Sequence, residues 1–394
     1  MIASLDLKAM KFAKVKGARS MRTRAAVLYE CGKPGPYASS RPLAIEDLEL
    51  DPPGEGEVLV ELVGAGLCHS DLSTINGSRA RPVPMVLGHE ASGIVREVGP
   101  GVDELKPDDH VVFSYVPMCG RCLCCATGRP ALCETGAVSN TAGTLLRGGV
   151  RFRKGSTKVL HHLGVSGFSQ YTVAARESLI KIDPTVPLQT AALFGCAILT
   201  GVGAVTNTAK VAPGQPVAIF GLGGVGLSAV MGAKLAGAFP IIVVDTLPGK
   251  FPLASKLGAH HTINPNETDV LAMIRDLTGG GVEYAFEAVG SAAVLALAYE
   301  CVRRGGTAVS VGLPHPDQKL SIQAVSLAGQ EKGIRGSYMG SAVPRRDVPR
   351  LIDLARAGVL PIETLISPSI PLEEINVGFD RLADGSAIRQ LIEF

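Results

Sequence analysis

Hydrophobic and polar positions alternate in short runs through the first third of the chain. The segments "EVLVELVGAG" (57–66), "GIVREVG" (93–99) and "HVVFSYV" (110–116) are strand-length, rich in β-branched residues and cut apart by glycine and proline turns. That pattern predicts an all-β unit of barrel type. The rhythm changes after residue 197. "PVAIFGLGGVGLSAVMGAKLAGAFPIIVVD" (216–245) reads as strand, glycine turn, helix, strand. The alternation continues through "AHHTINP", "VLAMIRDLTGG", "VEYAFEAVG", "AAVLALAYECVRRGG" and "TAVSVGLP". Strands alternating with helices predict a parallel, doubly wound sheet. The tail, 339–394, returns to mixed short elements. The expected fold class is therefore α/β plus β. A β-rich domain takes 24–197 and 339–394, a Rossmann domain takes 198–338, and residues 1–23 form a disordered leader.

Composition narrows the functions. A chain of 394 residues exceeds one ordinary core, which agrees with two domains. A net charge of +2 gives no reason to expect nucleic acid or an anionic membrane as partner. No apolar run approaches the roughly 18–20 residues of a membrane helix. The opening "MIASLDLKAMKFAKVKGARSM" is basic but lacks the apolar core and cleavage site of a secretory signal, so a cytoplasmic setting is expected.

The glycine turn carries Gly221, Gly223 and Gly226 in G-x-G-x-x-G spacing, after an apolar strand and before a helix. The first glycine permits the turn, the second lets a pyrophosphate approach, and the third lets helix and strand pack closely. Without that context the triplet would be only a turn. Asp245, at the end of the next strand, suits the adenosine ribose and would repel a 2′-phosphate, so NAD is expected rather than NADP. Lys250 would add a ribose contact.

Cysteine is the second source of chemistry. "MCGRCLCCATGRPALC" (118–133) holds five of the chain's nine cysteines. Cys119, Cys122, Cys125 and Cys133 can enclose one zinc ion tetrahedrally, leaving no open position, so the site is expected to be structural. Cys124 is the odd one. A redox pair would need C-x-x-C at a helix start beside a βαβ unit. Iron–sulfur ligation fits by ligand number and ranks below zinc. Cys68 in "GAGLCHSDLS", His89 and Glu90 in "LGHEASGIV", and Cys196 in "GCAILTGVGA" form a different set. Two thiolates, one imidazole and an open position suit catalytic zinc, and alcohol dehydrogenase is the standard example of that ligand set. Singly, each would be ordinary: a lone cysteine such as Cys31 or Cys301 is a small hydrophobe.

These motifs, with "FSQYTV" and the closing "GFDRLADGSAIRQLIEF", follow one another as in the zinc-dependent medium-chain alcohol dehydrogenases, which the chain resembles from about residue 24 to its end. The resemblance implies a GroES-like β-barrel catalytic domain bearing two zinc ions, a Rossmann NAD domain, and an active site between them. It implies Cys68, His89 and Cys196 as catalytic zinc ligands, with Glu90 as a carboxylate able to approach the metal. Asp71 would orient the ligand histidine. Ser70 would take the alcohol proton, His69 and Arg389 would contact cofactor phosphate, and Tyr115 would line the substrate pocket. Zinc would favour the alkoxide near neutral pH, and the alkoxide carbon would deliver hydride to NAD. The expected reaction is oxidation of a primary, including aromatic, alcohol to its aldehyde, and the reverse.

Some positions depart from the family pattern. Ser73 stands where many members end the proton relay with histidine, which leaves the outlet to water. Ser70 replaces the bulkier threonine and widens the pocket. The long stretch 139–173 resembles the longer, usually dimeric members, including glutathione-dependent formaldehyde dehydrogenase. That subgroup has an acid where this chain has Arg79, and an arginine where it has Ala137. A formaldehyde–thiol adduct is thus the second expected substrate. A homodimer is expected through "TAVSVGL" as edge strand. The pairs His161–His162 and His260–His261 read as ordinary structural or surface residues. The alternative from another class, a non-catalytic zinc-lobe interaction module, predicts a basic stripe, and the lobe offers only Arg121 and Arg129.

Overall fold

The computed structural model describes residues 20–394. Most of the expected leader lies outside the described residues, but its last three residues belong to the strand Met21–Leu28. Met21 is already paired with Leu50, so the ladder begins earlier than the apolar pattern suggests. Five strands close into a barrel, and seven more form a sheet built around Glu57–Gly66. That strand is almost wholly buried, which explains its continuous apolar run.

Register places the site. Glu57–Gly66 runs antiparallel to Glu90–Val98 with Gly66 opposite Glu90, and Leu391 of the strand Leu391–Glu393 also pairs with Gly66. Three segments therefore meet at one end of the sheet: Cys68 just beyond Gly66, His89 just before Glu90, and Arg389 two residues before Leu391. A side chain at 66 would collide with the Glu90 carboxylate, so glycine is required there.

The second domain is a six-stranded parallel sheet. Its order is His261–Ile263, Ile241–Val244, Val217–Phe220, Val282–Glu287, Val302–Ser310, Gly333–Gly336. The order reverses between Val217–Phe220 and Val282–Glu287, and a crevice opens at the strand ends there. The strand containing most of "TAVSVGL" is not an edge. Thr307–Ser310 pairs on its far side with Gly333–Gly336, which is the true edge. That last strand is half-buried to exposed, "GIRG", and lacks an apolar pattern to announce it. The tail also holds a 13-residue helix, Pro344–Arg356, where only short elements were expected.

Close helix packing ties the segment after Cys196 to the helix that follows the glycine turn. The helix Ala197–Gly203 lies on Gly224–Leu235, with Gly201 against the Val225 carbonyl and Ser228, and Gly232 against the Val202 backbone. Any side chain at either glycine would force these helices apart. No single described helix is long and apolar enough to cross a membrane.

Candidate active site

The register at Gly66 brings Cys68 and His89 together, and Cys196 joins them as the residue opening the helix Ala197–Gly203. Donor atoms of Cys68, His89, Glu90 and Cys196, all buried, lie within 4.8 Å of one another. His89 Nδ1 is 3.0 Å from Asp71 Oδ2, which leaves Nε2 turned to the cysteines. Asp71 is itself fixed: its Oδ1 accepts the Gly88 N–H at 3.2 Å and lies 3.2 Å from His162 Nδ1. Electrostatics fit a cation. The Cys68 thiol is held far below its ordinary value, chiefly by a hydrogen bond from Cys196 and against burial, with His89 assisting. Burial opposes protonation of His89, but Asp71 and Cys68 outweigh it and hold the imidazole above its usual value. Burial pushes the Glu90 carboxyl up to about 7 despite the Arg389 guanidinium bound to its Oε2. Glu90 Oε1 has no partner among the described residues. The hydrogen bond to Cys68 and burial push the Cys196 thiol up, and this soft, buried set of two sulfurs, an imidazole and a carboxylate fits zinc.

The second cysteine set is equally compact. Ligand atoms of Cys119, Cys122, Cys125 and Cys133 fall within 4.8 Å, and Cys124 is not among them. Backbone N–H groups point at the sulfurs: Cys119 and Gly136 to Cys133 Sγ, each at 3.3 Å, and Cys122 to Cys119 Sγ at 3.4 Å. Burial alone would raise the Cys119 thiol, but hydrogen bonds from Arg121, Thr135 and Cys122 bring it down to about 6. Such N–H bonds favour thiolates, the form a metal needs. All nine cysteines are free of disulfides.

Across the cleft lies the glycine loop. Gly221 has φ +91°, a turn that side chains disfavour. Gly223 has open space on its Cβ side, and a Cβ on Gly226 would overlap the Gly221 carbonyl. These three environments match a turn, a pyrophosphate approach and a close packing point. Asp245 accepts the Leu222 N–H at 2.6 Å and the Leu247 N–H at 2.9 Å, and Lys250 Nζ lies 3.9 Å from it. Arg389 lays its stem over Gly224 at the start of the helix, and its buried Nε has no partner among the described residues.

Comparison with known proteins gives the same architecture. "Alcohol dehydrogenase GroES-like domain" matches residues 54–184 and "Zinc-binding dehydrogenase" matches 224–357. S-(hydroxymethyl)glutathione dehydrogenase of Synechocystis sp. is 39% identical over 378 residues, 95% of this chain and 100% of that protein. The chain belongs to the zinc-dependent medium-chain alcohol dehydrogenases. Two solved structures agree in shape. A zinc-binding-domain alcohol dehydrogenase protein from Burkholderia ambifaria has TM-score 0.89 at 37% identity. Benzyl alcohol dehydrogenase from Acinetobacter calcoaceticus has TM-score 0.88 at 33%. Each alignment covers 95% of this chain and 99% of the other. Membership makes this an enzyme whose cofactors are zinc and a nicotinamide dinucleotide.

As in an alcohol dehydrogenase cleft, both halves of the machinery line one cavity of about 740 Å³. Cys68, Ser70 and Cys196 face it on one side, and Gly221, Gly223 and Asp245 on the other. His69, Tyr115, Lys250 and Arg389 also line it. Ser73 lines it too, with its hydroxyl donated to the His69 carbonyl at 2.8 Å. Among the wall residues that sequence reasoning missed are Thr200, Tyr338 and Met339. Thr200 stands one helical turn after Cys196 with a buried, unpartnered hydroxyl, and this spacing could have flagged it. Tyr338 and Met339 enter from the domain junction, and no local pattern marks them. His162 was also underrated. It is buried against Asp71, whereas His260 and His261 are exposed.

Proposed function

We propose that this enzyme interconverts a primary alcohol, aromatic alcohols included, and its aldehyde, with NAD as the redox partner. The observation that carries the reading is the cleft lined on one side by Cys68 and Cys196, whose donor atoms cluster with that of His89, and on the other by the glycine loop. When bound, zinc lowers the pKa of the substrate hydroxyl and NAD accepts the hydride. The chain's own residues do the rest. Cys68, His89 and Cys196 hold the metal, and Glu90 Oε1 is a spare donor beside them. Asp71 fixes which imidazole nitrogen is free. Ser70, in the first turn of the helix His69–Ile75, takes the hydroxyl proton. Ser73 is occupied by the His69 carbonyl, so the proton leaves through water. Tyr115 and Tyr338, perpendicular with ring centroids 6.0 Å apart, offer faces and edges to an aromatic substrate. His69 and Arg389 receive cofactor phosphate, while Asp245 and Lys250 receive the ribose. The Asp245 carboxylate favours NAD over NADP by repulsion. Cys119, Cys122, Cys125 and Cys133 hold the structural zinc. A homodimer through the open edge Gly333–Gly336, in a reducing cytoplasm, completes the reading.

A second reading has its own support. The curated relatives from Synechocystis sp. and Escherichia coli, at 39% and 38% identity, are named for S-(hydroxymethyl)glutathione. Arg79 and Ala137 weigh against that substrate here.

Zinc per subunit, measured with NADH formation from primary, aromatic and secondary alcohols with and without thiols, tests both. Two zincs and thiol-independent turnover are expected. Turnover of formaldehyde only with glutathione would transfer the assignment to the second reading. One zinc and no turnover of any alcohol or adduct would remove both.

A further inference from the structure

The substrate side of the cleft carries a positive charge that nothing in the described chain balances. Arg79 follows the helix His69–Ile75, and its backbone N–H donates to the Ser73 carbonyl at 2.8 Å, tying it to the helix that bears Ser70. A guanidinium has five N–H donors. Among the described residues Arg79 uses one, from Nη2 to the Leu313 carbonyl on the opposite domain, and its buried Nε has no partner. Arg81 stands nearby, spending one bond on the Asn140 carbonyl at 2.9 Å. Neither arginine is in an ion pair among the described residues. Burial depresses both guanidinium pKa values, with the Asp71 carboxylate opposing it at Arg81.

The surroundings leave room for a guest. Ser70, Ser73 and Ser78 are the small neighbours of Arg79 on the same cavity wall. Among the described residues two carboxylates line the cavity, and both are engaged by backbone N–H groups: Asp245 by Leu222 of the glycine loop and by Leu247, and Asp384 by Ser386. A cation half withdrawn from water without an anion is costly, and a bidentate carboxylate offsets that cost best.

We propose that the physiological alcohol carries an anionic group, a carboxylate in the simplest case, away from its carbinol carbon, and that Arg79, backed by Arg81, receives it. This rests on the alcohol-oxidation reading above and names the substrate class. The anion takes no part in the redox step. A hydride leaves the carbinol carbon for NAD, a proton is released, and the carboxylate is unchanged. Arg79 therefore acts in binding and orientation, and its effect falls mainly on KM.

The contact from Arg79 to Leu313 allows another role, a clasp between domains, and the experiment separates the two. The zinc- and NAD-loaded enzyme is assayed with benzyl alcohol, 4-(hydroxymethyl)benzoate, 4-(aminomethyl)benzyl alcohol and the formaldehyde–glutathione adduct. Wild type, Arg79→Met and Arg79→Lys are compared, and calorimetric titration of 4-(hydroxymethyl)benzoate reads binding without turnover. In the wild type, kcat/KM for the benzoate should exceed that for benzyl alcohol at least tenfold, with the aminomethyl compound poorest. Arg79→Met should collapse that ratio and the calorimetric affinity, and Arg79→Lys should keep part of both. Preference for the adduct, lost in Arg79→Met, would uphold the anion site with a thiol adduct as its source. A ratio unchanged by Arg79→Met, or a wild type that prefers the neutral or cationic alcohol, overturns the proposal while leaving alcohol oxidation standing. Absence of all turnover with calorimetric binding that needs Arg79 would sink the alcohol reading and leave the anion site.

Discussion

At the scale of residues, the site depends on a few side chains that have no substitute nearby. Replacing Cys68 or Cys196 with alanine removes a buried donor from a set of four. Each variant is expected to lose at least a thousandfold in turnover and one zinc per chain, while NADH titration by fluorescence still shows binding. Near-full activity in either variant would falsify the catalytic-metal assignment. Asp71 lies against His89 Nδ1 and His162 lies against Asp71, so the proposed ligand histidine is held by both. His162→Ala should therefore loosen the catalytic zinc, read as faster loss to a chelator, with the structural zinc unaffected. Equal loss rates from both sites would show that His162 merely packs. The motif order announced Cys68, His89 and Cys196. It gave no hint of His162, because the contact joins segments about ninety residues apart through a turn that no spacing rule describes.

At the scale of elements, the glycine loop separates two kinds of need. Gly226→Ala sets a methyl against the Gly221 carbonyl and should destabilise the domain by about 3 kcal/mol, visible in thermal melts. Gly223→Ala meets open space at φ −78°, so its melting temperature should stay within about 0.5 kcal/mol equivalent of wild type. Its NADH affinity should still fall tenfold or more, because the methyl occupies the pyrophosphate approach. If both variants melt alike and bind alike, the loop is only a turn. The zinc lobe is the other self-contained element: Cys119→Ala should cost one zinc per chain and lower the melting temperature before it lowers kcat. Elements with strong periodicity, such as Val217–Phe220 and Ile241–Val244, were legible in the sequence. Gly333–Gly336 was not, since its four residues have neither alternation nor apolar weight, and missing it moved the sheet edge by one strand.

For the whole molecule, acid stability has an identifiable contributor. His161 is fully buried, its Nε2 accepting the Arg151 N–H at 3.1 Å. Burial, aided by the Arg151 charge, pushes its pKa down to about 3 from an ordinary 6.5. The unfolded chain takes up a proton below 6.5 and the folded one does not, so this stabilisation is complete above 6.5 and drains away as the pH falls toward 3. The slope is roughly 1.4 kcal/mol per pH unit. His161→Gln should lower stability at pH 7.5 but flatten the decline between pH 6.5 and 4.5 by roughly 2–3 kcal/mol in denaturant titrations. A parallel decline in both proteins would clear His161 of the role.

The packing of Ala197–Gly203 on Gly224–Leu235 bears on how such enzymes can be recombined. One helix begins at Cys196, a proposed metal ligand, and the other begins at the glycine loop. Their glycine-to-backbone contact holds Cys196 and the dinucleotide loop on one part, whereas Cys68 and His89 come from the sheet built around Glu57–Gly66. A chimera spliced between the two helices, after residue 203, would take its ruler from two parents, and the gap between hydride donor and acceptor would follow whichever side chains met there. A graft carrying both helices from the same parent would keep the gap and exchange only the walls.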